Sequence, residues 1–169
     1  MGCATVTIAL GFFSAGIKVR TFRPGTFKAA INDAGWLEDE VIAAGHLRQG
    51  KAGIFSGFQE FLPSRSKKLP REFMLALTAN ELVVFRVSQV PHSTGSAYEV
   101  VKIREGVRFR YPRESVSLTD LADGAASQGG TITIEGDGFP VMRPNQYGDP
   151  NTDELIAVMA GVPPVTWPR

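Results

Sequence analysis

The chain has a single cysteine, Cys3, and only two histidines among its 169 residues. One thiol excludes an intramolecular disulfide and any cysteine-built zinc cage, a usage that suits a reducing compartment, and two histidines leave little room for a His-rich metal site. Charge of one sign is also lacking in excess: 18 Lys and Arg stand against 17 Asp and Glu, for a net charge of +1. Nothing in that balance draws the whole protein to nucleic acid, which is not an expected partner, so any anion must be met by a local patch. Long apolar runs are missing too, which excludes a multi-span membrane protein.

What is present is a core. Leu, Ile, Val and Phe make up 46 of the 169 residues while charged residues are 21%, too apolar a mixture for a disordered chain. At 18.3 kDa the chain has the length of one domain, which buries about 70% of the surface its unfolded form exposes.

Met1 to Ile17 carries no charged side chain and is followed by Lys18, Arg20 and Arg23. A membrane-spanning helix wants about 20 apolar residues, more than this stretch offers. A signal peptide carries its cations before the apolar region, and here they come after it. Val6, Ile8, Leu10 and Phe12 alternate with Thr5, Thr7, Ala9 and Gly11, which reads as a strand. A membrane-contacting segment is the other reading. The segment 1–23 is therefore taken as one unit, strand or membrane-contacting.

From Pro24 the period becomes helical. Phe27, Ala30, Ile31, Ala34, Leu37, Val41 and Ala44 fall on one face, which predicts an amphipathic helix capped by Thr26 and stopped by Gly45. Residues 45–70 read as a glycine-broken loop with a short strand, ending in a basic connector of Arg65, Lys67, Lys68 and Arg71. The unit 24–70 is thus a helix plus a connector.

Beyond Pro70 the chain turns to strands. Phe73–Thr78 and Leu82–Val87 flank a tight turn. With Ala79 and Asn80 as its loop, Leu77 opposes Leu82 and Leu75 opposes Val84 on one face, and Ala76 opposes Val83 and Met74 opposes Phe85 on the other. Both faces are apolar, so this hairpin is expected at the centre of a sheet. Next, Val101, Ile103, Val107, Phe109 and Tyr111 alternate with Lys102, Arg104, Arg108 and Arg110. Two strands turning around Glu105-Gly106 would place Arg104 opposite Arg108 and Lys102 opposite Arg110 on one basic face. Ser115–Thr119 alternates again. Thr131–Glu135 and Phe139–Met142 read as a hairpin in which Asp137-Gly138 supplies the positive φ angles, and Asp153–Ala160 as a short helix capped by Asn151 or Thr152 and stopped by Gly161. The segment 162–169, with three prolines, is an extended tail.

Motifs for catalysis are not convincing. Gly45 to Ala52 has the spacing of a phosphate-binding loop, but Ala52 stands where a Ser or Thr should reach magnesium. Ser14 lies one residue off a nucleophile elbow, and His46 and His92 read as isolated loop residues. No enzyme, metal site or cofactor is expected. The candidate site is an anion- or lipid-binding surface of Lys102, Arg104, Arg108 and Arg110, extended by Arg65, Lys67 and Lys68 if the connector folds over the same end. The plainer reading is a solvated strand face relieved by Glu99, Glu105 or Glu114.

Successive hairpins with a closing helix describe an α+β chain that is mainly antiparallel β: a partly open barrel or orthogonal sandwich of six to seven strands, with a closing C-terminal helix and an additional N-terminal helix. Through Leu75–Thr78 leading into Leu82–Phe85, the basic strand pair, Ile132–Ile134, the Gly136–Gly138 turn and the helix Asp153–Ala160, residues 71–161 resemble the bacterial pleckstrin-homology-like domains. The turn Ala79-Asn80-Glu81 lacks the cations of the lipid-binding pleckstrin domains, and the closing helix lacks their tryptophan. The resemblance implies a non-enzymatic binding or assembly module, cytoplasmic, with a protein or the inner face of a membrane as its partner. The alternative is a peripheral membrane protein using residues 1–23 and the basic strand face on anionic lipid. Exchange of the N-terminal strand between protomers would make a homo-oligomer.

Overall fold

A computed structural model describes residues 16–21, 23–50, 68–89, 100–121, 129–144 and 149–161. The predicted strand over Thr5–Phe12, together with His92, Arg65, Lys67 and the tail, lies outside them. The rest forms α+β architecture: eight strands, β1 (Gly16–Arg20), β2 (Ala43–Gln49), β3 (Glu72–Leu77), β4 (Glu81–Gln89), β5 (Val100–Pro112), β6 (Val116–Thr119), β7 (Gly129–Ile134) and β8 (Asp137–Met142), with helices α1 (Thr26–Asp33) and α2 (Pro150–Ala160). All strands join one open sheet in the order β1-β5-β4-β3-β2-β8-β7-β6, every pairing antiparallel. Strands from residues 16–49 are thus woven into the same sheet as those from 72–142.

The β3–β4 hairpin sits at its centre with the expected register: Leu77 opposite Leu82, Leu75 opposite Val84, Ala76 opposite Val83 and Met74 opposite Phe85. Its two apolar faces serve two cores. Phe73, Leu75, Leu77, Leu82 and Val84 pack with Val116, Leu118, Ile132 and Ile134 from β6 and β7, and with Leu155, Ile156 and Met159 from α2. Met74, Ala76, Val83 and Phe85 pack on the other side with Phe27 and Ile31 of α1 and with Val19, Val101 and Ile103. For β6 and β7 to share a core with β4, the sheet must bend.

Four expectations are corrected. The first helix ends at Asp33, because Gly35 takes φ 64° and turns the chain. Val41 and Ala44, assigned to its apolar face, are buried instead in the loop before β2 and at the start of that strand. His46 is therefore a buried strand residue rather than a loop residue. The turn after β7 is Glu135-Gly136, with φ 50° and 87° and Ile134 paired to Asp137, so the positive φ angles fall two residues before Asp137-Gly138. Finally, α2 begins at Pro150, capped by Asp149, whose carboxylate accepts from the Asn151 N–H at 3.0 Å. Gly161 ends it in the left-handed conformation, as expected.

Candidate functional site

The basic segment is where the structure departs furthest from the expected arrangement. Val100–Pro112 is one continuous strand, so Arg104 does not face Arg108 and Lys102 does not face Arg110. Glu105 and Gly106, the expected turn, form an exposed bulge with Gly106 at φ 95°. Register shifts between Val84 and Phe85 and between Phe85 and Val87 absorb the extra residues. A bulge also changes which face a given parity occupies. Before it, Val101 and Ile103 point into the α1 core. After it, Phe109 and Tyr111 lie on the α2 side.

The predicted cations are thereby divided. Arg110, opposite Val83, lies on the α1 side and pairs with Glu81. The two line one wall of a cleft of about 500 Å³ with Glu38, Asp39, Asn80 and Tyr111. Arg108 lays its guanidinium 5.1 Å from the centre of the Phe109 ring. Lys68 is engaged at the β7–β8 turn, 2.9 Å from Asp137 and 3.0 Å from Glu135, and hydrogen bonds to those two carboxylates raise its pKa. Its carbonyl accepts from the Tyr111 hydroxyl at 2.7 Å, and burial pushes that phenol up.

Lys102 and Arg104 keep different company. Pairing of β1 with β5 sets Lys18 directly opposite Lys102 and Gly16 opposite Arg104. Gly16 is required there, since a Cβ would stand 2.4 Å from the Ile103 carbonyl and 2.9 Å from Lys102 Cε. On β4, Ser88 opposes Lys102, and Arg86, two residues away and so on the same face, opposes Phe73. Lys18, Arg20, Arg86, Lys102 and Arg104 therefore share one face across β1, β5 and β4. Lys18, Arg20 and Arg86 are exposed and the other two half-exposed. Like charges opposite one another on adjacent strands repel. Sequence reasoning missed Arg86, and it set Lys18 and Arg20 against anionic lipid without placing them beside Lys102 and Arg104, because only strand pairing between distant segments brings them together.

The opposite end of the central strands is acidic. Glu38, Asp39 and Glu40 are exposed beside the β3–β4 turn, where Asn80 donates to Asp39 at 2.9 Å, and Glu81 opens β4. Cations thus gather toward one end of the sheet and Glu38, Asp39, Glu40 and Glu81 toward the other, where Arg110 stands among them.

The polar groups nearest α2 serve the fold. Thr152 Oγ1 accepts from the His46 N–H at 2.9 Å and donates to Asp149 at 2.6 Å. His46 Nε2 lies 2.7 Å from Glu72, and Arg143 pairs with Asp153 at 3.2 Å where both are buried. Among the described residues no cluster of three or more His, Cys, Asp or Glu side chains could hold a metal ion, and no helix is long and apolar enough to cross a membrane. No known protein family matches the chain, and no curated protein resembles it in sequence.

Proposed function

We propose that this chain is a non-enzymatic binding module of pleckstrin-homology-like type whose cationic β1–β5–β4 face takes an anionic partner. The observation that carries the reading is the gathering of Lys18, Arg20, Arg86, Lys102 and Arg104 on one open sheet face, drawn from three strands. The bent antiparallel sheet with α2 packed on its core supports the pleckstrin-like part of it. Such a face acts by charge summed over an area and requires no pocket, and the acidic opposite end orients the molecule toward an anionic surface. A second reading, a peripheral membrane protein, draws on the same observation: Lys18 and Arg20, which follow the apolar start of the chain, share the face with the strand cations. Anionic headgroups attract such cations by about 1 kcal/mol each.

The test is salt-dependent retention of the full chain on immobilised polyglutamate, and co-sedimentation with neutral and anionic vesicles, each set against a variant with the five cations changed to Gln. We expect retention of the native chain that falls as salt rises and is lost in the variant. Equal behaviour of the two proteins on every matrix overturns the reading. Vesicle binding without polyglutamate binding selects the membrane reading.

A further inference from the structure

We infer that the outer rim of β1 receives an acidic, extended segment of a partner protein as an added strand. The inference rests on the reading of the cationic face as a binding surface and names its partner. β1 ends the strand order and, among the described residues, pairs on one side only, with β5. Backbone groups on the rim of a terminal strand are a template for another strand.

The side chains of β1 specify what such a strand must carry. Ile17 and Val19 face the α1 core, Val19 being only 6% exposed, while Lys18 and Arg20 stand on the opposite face. An incoming strand alternates in the same way. Apolar residues would extend the Ile17–Val19 row on one face, and carboxylates or phosphates would meet Lys18 and Arg20 on the other. Lys18 already faces Lys102, so an acid on its outer side offsets a like-charge contact and joins a face that Arg86 and Arg104 continue. A lipid leaflet offers charge to the cations but, in its hydrocarbon, no hydrogen-bonding partner to the backbone rim. The alternation therefore favours a peptide strand. The rim has a definite end: the Arg20 carbonyl accepts from Thr26 Oγ1 at 2.8 Å, so an added strand stops at Val19.

The experiment is fluorescence anisotropy of the full chain with a short labelled peptide alternating Glu and Val. Its controls are a peptide of the same composition in two blocks and the alternating peptide N-methylated on every second amide. The expected result is binding of the alternating peptide alone, weakened about tenfold or more by Lys18→Gln with Arg20→Gln and unaffected by Lys28→Gln. The N-methylated control leaves the protein untouched, so its outcome does not depend on a variant folding. Equal binding of the three peptides overturns strand addition while leaving the binding-module reading intact, provided polyglutamate still retains the chain. Binding to anionic vesicles with no binding of any peptide overturns it in favour of a lipid surface. Loss of all of these, polyglutamate included, removes the binding-module reading itself.

Discussion

Gly45 shows how one missing side chain fixes a helix. A Cβ there would stand 2.8 Å from Leu155 Cδ2, 2.9 Å from the Thr152 Cα and 3.2 Å from Leu155 Cβ. Leu155 Cδ2 could swing away, but the Thr152 backbone is held by the Oγ1 bonds to the His46 N–H and to Asp149. Gly45→Ala should therefore force α2 off the sheet and cost about 1–3 kcal/mol, read as a lower urea midpoint with an unchanged slope. An unchanged midpoint would show that the helix rides freely on β2. From sequence, Gly45 looked like a helix stop. It is a glycine in a strand, kept small so that a helix can approach.

At the scale of the element, α2 carries a titratable cap. Asp149 is buried, and burial raises its carboxyl pKa against the lowering effect of hydrogen bonds from Thr152 and Asn151. A carboxyl with a folded pKa above its unfolded value binds its proton more tightly in the native state. Its contribution to stability is fully present below the ordinary aspartate range, near 3.8, and is lost as pH rises through the raised value. Asn caps a helix about as well as Asp. The stability of the native protein minus that of Asp149→Asn should thus fall between acidic and neutral pH in urea titrations. A difference that stays flat, or rises, contradicts the burial effect. The start of α2 was legible in the Asp149-Pro150 pair, since Pro favours the first helical position, but Asp153 and Glu154 drew the reading three residues onward. Other elements show what sequence does and does not carry. The β3–β4 register was readable because a two-residue loop and two apolar faces admit one pairing. β5 was not, because a bulge and a turn look alike along the chain and differ only in what the neighbouring strand does. Leu37, Val41 and Ala44 fit a helical period, yet Gly35 had already turned the chain, and these residues meet the same core from a loop and a strand.

At the scale of the molecule, two cores back to back on one sheet predict a gradient of local stability. β3 is buried from Phe73 to Leu77 and β4 from Leu82 to Phe85, so opening either exposes both cores. β1 and β6 are terminal strands with exposed residues at alternate positions. Native-state hydrogen exchange should find the slowest amides in β3 and β4, at the free energy of global unfolding, and faster exchange in β1 and β6. Uniform protection would mean that the sheet opens only as a whole. The cationic face, belonging to the β1 end of this gradient, was the least legible part of the molecule. The same alternation of apolar residue and cation recurs in two distant segments, and only the pairing of β1 with β5 and of β5 with β4 puts the five cations side by side.

The Asn151 side chain donates to the carbonyls of Thr21 at 2.9 Å and Arg23 at 3.0 Å, contacts that span 130 and 128 positions of chain. A ribosome delivers those two carbonyls early and their partner late. Until Asn151 has been made, the end of β1 thus lacks this clasp, and among the described residues the strand rests on β5 and α1. The surface we assign to binding is therefore fully secured only when α2 docks, so a nascent chain stalled before Asn151 would carry the right residues without the clasp at the end of their first strand.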